Sequence, residues 1–131
     1  TKGRHFTYAA KQSGDSLAFT ALLQPVSSAK STPALTTRVT GNTIEITGEG
    51  WTDYLDRSEK ISDLRFTLPS DKTPARITAR LAVIRTTSAG IVSFIALDAA
   101  TVELPGYSVV FEIARNLSGQ RNPDGTWTIS R

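Results

Sequence analysis

The sequence predicts an α+β domain: an N-terminal β-hairpin, an antiparallel β-sheet meander, and two C-terminal α-helices packed across a dimer partner. Three observations predict it. Over residues 75–86, Ile77, Ala79, Leu81 and Val83 alternate with Arg76, Thr78 and Arg80, the period of a half-buried strand. After Thr87-Ser88, good N-cap residues, come Ile91, Val92, Phe94, Ile95, Ala96, Leu97, Ala99, Ala100 and Val102, with Asp98 and Glu103 as the only charges. This run reads as a helix that is apolar nearly all round. Pro105-Gly106 then breaks the chain. Ser108 can cap a second helix in which Val110, Phe111, Ile113, Ala114 and Leu117 recur at helical spacing, with Gly119 placed to end it. A helix with so few polar positions needs cover on several sides, and another subunit is the expected source. The same run also suits two short buried strands, because Ile, Val and Phe are strand formers.

The remaining elements follow in order. Phe6, Tyr8 and Ala10, a turn at residues 12–15, and Leu17, Phe19, Ala21 and Leu23 make the N-terminal hairpin of residues 1–24. Residues 25–33, with three serines, one Ala, one Lys and little to bury, read as a loop or an irregular edge segment. The sheet spans 34–87. Residues 35–40 and 43–47 flank Gly41-Asn42, a tight hairpin turn or a bulge, and direct Val39, Ile44 and Ile46 toward a core. Gly48-Glu49-Gly50 with Trp51, Tyr54 and Leu55 suggests a loop anchored by aromatic rings. Leu64, Phe66 and Leu68 alternate with Asp63, Arg65 and Thr67 up to Pro69, and residues 70–74 form a turn. The helices occupy 88–119. In the tail, 120–131, Asn122-Pro123-Asp124-Gly125 is a turn before a last strand carrying Trp127 and Ile129.

A chain of 131 residues suits a single domain with one core. Cysteine is absent, which removes disulfides and thiolate metal sites. No stretch approaches the roughly 18 apolar residues of a membrane helix, so no membrane partner and a cytosolic product are expected. The net charge of +3 permits an anionic partner without requiring one. Its distribution says more: Glu49, Asp53, Asp56, Glu59 and Asp63 supply five of the 12 acids within one stretch, leaving the rest of the chain distinctly basic.

One histidine, His5, and the absence of metalloprotease, nucleophile-elbow and phosphate-loop motifs leave little support for an enzyme or a small-molecule substrate. Asp53, Asp56 and Glu59 do not follow calcium-loop spacing and read as solvated acids, so neither metal nor cofactor is expected. The sheet's polar face is the stronger signal. Arg38, Arg65, Arg76, Thr78 and Arg80 are the candidate RNA-binding residues, since guanidiniums fork onto phosphates while threonine hydroxyls bond phosphate, sugar or base edges. An ordinary solvated sheet face uses the same residues. Ile91, Phe94, Ile95, Val110 and Phe111 are the candidate dimer and assembly interface.

The order of elements resembles the coat protein of single-stranded RNA bacteriophages over residues 6–119. The likeness lies mainly in the strand from Arg76, the Thr-Thr-Ser cap, the Pro-Gly break and the second helix; Pro33-Ala34-Leu35-Thr36-Thr37-Arg38-Val39-Thr40 resembles the entry to that family's central strand. The resemblance implies a homodimer whose helices cross the partner's sheet, assembly into an icosahedral shell, and a virion location with host cytoplasm before assembly. It further implies a sheet facing single-stranded RNA and a repressor role on an RNA hairpin. The tail after Gly119 and the acidic stretch at 49–59 depart from the family pattern. A non-viral β-rich module binding a protein or carbohydrate is the alternative.

Overall fold

The computed structural model describes residues 35–40, 42–66, 68 and 75–131. The expected N-terminal hairpin, the loop at 25–33 and the turn at 70–74 lie outside the described residues. Among those described, every regular element is a strand: β1 (Thr36–Thr40), β2 (Thr43–Gly48), β3 (Trp51–Arg65), β4 (Arg76–Thr87), β5 (Gly90–Leu104), β6 (Tyr107–Arg121) and β7 (Trp127–Ser130). They form one antiparallel sheet in sequence order, each strand paired with the next. The α+β expectation with two C-terminal helices is therefore overturned.

The correction has a local cause. Buried residues in β5 are Ile91, Phe94, Ala96, Ala99, Val102 and Leu104. A regular strand would bury every second residue, but β-bulges each insert one extra and turn some intervals of two into three. The register of β5 slips against β4 between Arg85 and Thr86 and between Thr78 and Leu81, and slips against β6 on both sides of Ala99. The resulting spacing imitates helical periodicity. Thr87 does not cap a helix; its Oγ1 accepts a hydrogen bond from the Ala89 N–H inside the β4–β5 turn. Pro105-Gly106 is the turn of the β5–β6 hairpin, with Gly106 at φ 76° in the left-handed region that glycine occupies without strain.

The slips line up across the sheet. Residues 58–61 of β3 stand against Arg80 of β4, Thr78 and Leu81 bracket the slip in β4, residues 98–100 bulge in β5, and residues 111–114 of β6 stand against Ala100. Together they make a crease across the four long strands, where the sheet folds back on itself. Phe94 and Tyr107 lie at opposite ends of the β5–β6 hairpin and would be roughly 30 Å apart in straight strands, yet their rings stack at 6.1 Å. Trp127 packs edge-on to Phe94 at 5.6 Å, and its Nε1 donates to the Pro105 carbonyl at 2.9 Å. The core is the space between the two limbs: Leu64, Ile77, Val102 and Leu104 on one, Tyr54, Ile84, Phe94 and Leu117 on the other. Inside the crease stand Ala79, Ala82, Ala96 and Ala99, all fully buried.

The crease also corrects the reading of β4. Ile77 and Ala79 face the core as expected, but beyond the slip the core residues are Ala82 and Ile84, and Leu81 and Val83 turn outward. Residues 49–50 form a tight turn between β2 and β3, and the expected aromatic-anchored loop is instead the start of a 15-residue strand.

Gly119 sits opposite Phe94, and a Cβ there would lie 2.4 Å from the Phe94 ring and 2.9 Å from Ile129 Cδ1. Gly119→Val is expected to lower the unfolding free energy in urea by about 1–3 kcal/mol. Phe94→Leu in the same chain should recover part of that loss, a non-additivity that equal and independent losses would refute.

Candidate functional site

The structure separates the candidate RNA-binding residues. Arg38 is in register with Glu45, Tyr54, Ile84 and Phe94, so it shares the sheet face that carries the core, at the exposed β1 edge. Arg65, Arg76, Thr78 and Arg80 lie on the opposite, outward face: Arg65 pairs with Arg76, and Thr78 with Asp63 and Thr101. Three of these four are arginines, and each meets a carboxylate. Asp63 accepts from Arg65 Nε at 3.0 Å and Arg76 Nε at 2.9 Å, and Asp98 accepts from Arg80 at 3.1 Å. The Arg76 guanidinium, more than that of Arg65, holds the Asp63 carboxyl below its ordinary pKa. Such exposed pairs are screened by solvent and add little to stability. Their larger effect is on recognition: with Glu103 beside Arg76, the patch is close to neutral, and a phosphate must displace a carboxylate already in place.

The acidic stretch is divided by the pleat of β3. Asp53 faces outward and takes a two-pronged contact from Arg85 at 2.7 and 2.8 Å, while the same guanidinium lies 4.3 Å from the centre of the Trp51 ring. Asp56 faces inward, in register with Ala82 and Ala96, and is almost fully buried. Burial raises its pKa, offset in part by the hydrogen bond it accepts from the Arg57 N–H at 2.8 Å. Glu59 lines an open depression of ≈ 500 Å³ on the crease with Arg57, Arg80, Leu81, Leu97 and Asp98. Asp98 holds φ at 52° there, and Asn116 Oδ1 accepts its N–H at 2.9 Å.

Of the candidate interface residues, Ile91 and Phe94 are core residues of this chain, Phe111 is half-buried at the core's margin, and Ile95 and Val110 are exposed at 49% and 75%. Ile95 belongs to a larger feature. Val39, Ile44, Leu55, Val83 and Ile95 stand in one register row, on adjacent strands β1 to β5, facing outward. At about 4.8 Å per strand the row is roughly 20 Å long. Ile46 lies on one side of it, Leu81 and Leu97 on the other. Val39 is 66% exposed and Leu97 40%.

Sequence alternation missed this row, since it assigns Val39, Ile44, Leu81 and Val83 to a core. A signal was present in two continuous apolar runs, residues 81–84 and 94–97. These runs pair residue for residue, as strands with two apolar faces do. Comparison with protein-family models, curated proteins and solved structures finds no match to this chain.

Asp56 offers a pH test of the inward face. Its folded pKa is raised, so the stabilising protonated form is present at low pH and is lost as pH rises from the unfolded pKa through the folded one. Asp56→Asn keeps an acceptor for the Arg57 N–H and removes the charge. It should raise the melting temperature at pH 7, and the gain should shrink on acidification toward pH 3; a gain independent of pH would refute the assignment.

Proposed function

We propose that this chain is a structural protein that works by self-association through the outward face of its sheet. The observation that carries the reading is the apolar row from Val39 to Ile95, on a sheet whose other face already holds the core. A strand apolar on both faces is stable when both are covered, and exposed contiguous apolar surface marks protein contacts. The rim suits a second copy: Arg57 and Arg80 stand beside Glu59 and Asp98, so a twofold-related patch presents as many cations as anions to itself.

A shell around RNA is a narrower form of this reading. Self-association is what the row supports. RNA contact rests on Arg65, Arg76, Thr78 and Arg80, whose arginines are ion-paired, and on Arg38 across the sheet. The electrostatics therefore favour protein over nucleic acid as the partner of this face.

The parent chain should elute as an oligomer in size exclusion with light scattering. Ile95→Lys with Leu97→Lys, both at solvent-accessible positions, should shift it to monomer with an unchanged far-ultraviolet spectrum. A monomeric parent at its highest soluble concentration would overturn the reading. Particles with a nucleic-acid absorbance ratio would select the RNA-enclosing form, and protein-only oligomers the simpler one.

A further inference from the structure

Among the described residues a different part of the sheet, one edge of β6, lacks a partner strand. β7 pairs only with Ser118–Arg121, so among the described residues the remainder of β6 has β5 on one side and no strand on the other. The hairpin alternation determines which groups are free there. The two-residue turn makes Leu104 and Tyr107 a hydrogen-bonded pair, and Val102 with Val109 the next. Ser108 and Val110 therefore aim their N–H and C=O groups at the open edge. Val110 is 75% exposed and Ile113 76%, and beside them runs a groove of ≈ 340 Å³ lined by Val109, Phe111, Glu112 and two arginines. Those arginines are Arg115 and Arg131, whose guanidiniums lie 5.9 and 5.6 Å from the centre of the Phe111 ring. Neither is within ion-pair distance of a carboxylate among the described residues.

We infer that this edge accepts an extended strand from another protein, added antiparallel to β6, with apolar side chains at alternate positions and carboxylates at its N-terminal end. Backbone bonds to Ser108 and Val110 supply the affinity, and the exposed Val110 and Ile113 supply an apolar bed. Antiparallel addition carries the N-terminal end of the incoming strand toward Arg115 and Arg131. A second copy of β6 fits less well: paired antiparallel, it would bring its own N-terminal residues Tyr107 and Ser108 toward Arg115 and Arg131 and offer them no carboxylate. The bulge at 111–114 ends regular pairing, so the added strand is short and its acidic end lies in the groove.

The test is fluorescence anisotropy of a labelled peptide, Glu-Glu-Val-Thr-Val-Thr-Val, with the full chain. Three changes are expected to weaken binding by about tenfold or more: N-methylation of alternate peptide amides, replacement of the two glutamates by lysines, and Arg115→Glu with Arg131→Glu in the protein. The lysine peptide should bind the doubly substituted protein better than the parent, a charge-swap rescue that a folding defect cannot produce. Bound peptide should slow hydrogen exchange at the Ser108 and Val110 amides. Failure of the parent peptide to bind, equal binding of the N-methylated peptide, or spontaneous disulfide dimers of Val110→Cys in its absence would each overturn the proposal.

Discussion

On the two central strands, β4 and β5, the inside of the crease is lined by methyl groups, and the rest of the fold depends on that close approach. Where a sheet turns back on itself its inward side chains converge, and Ala79, Ala82, Ala96 and Ala99 are the residues that let it close. The bulges on the same line supply the extra backbone and the added local twist. Farther from the crease the limbs separate to the roughly 10 Å of packed sheet faces, and the side chains grow to match: Ile77, Ile84, Phe94 and Val102 fill the space, and Trp127 reaches the Pro105 carbonyl across the open end. Replacing any of the four alanines by a larger residue would press the limbs apart and expose that aromatic closure.

Much of the strand content was legible. The alternation at 76–80, the antiparallel pairing of β1 with β2, the turn at 122–125 and the final strand correspond to elements of the structure. Residues 91–119 were not legible, and the reason is physical. Bulges at 98–100 and 111–114 change the phase of the pleat, and each change turns an interval of two into one of three or more. Hydrophobic periodicity assumes an unbroken ladder, so it fails at the residues where the ladder slips. The same slip between Thr78 and Leu81 exchanged the two faces of β4 and hid the outward row.

The candidate site was legible by residue type and not by arrangement. Arg65, Arg76, Thr78 and Arg80 do share a face, as their alternation requires. The ion-pair partners of Arg76 and Arg80 come from neighbouring strands, Asp63 from β3 and Asp98 from β5, and Asp98 reaches Arg80 only because the bulge places it there. Pairings across strands depend on register, which a single sequence specifies weakly wherever turns and bulges intervene. The buried Asp56 is a related case: its spacing from Asp53 looked like one solvated cluster, and the pleat sends the two carboxylates to opposite faces.

The outward row and the β6 edge act in perpendicular directions. Side chains leave a sheet along its normal, so the row can bring another sheet face down on it; backbone groups leave β6 in the plane of the sheet, so the edge can only lengthen it. Occupation of one surface therefore does not block the other. A subunit that stacks on a copy through its face and takes another protein's strand at its edge has contacts along two axes, and whether the stack of copies closes or continues depends on the rotation that the face contact imposes. The sheet's twist and its crease set that rotation. The bulges that obscure the fold in the sequence are thus also the feature that sets how successive subunits would be turned against one another.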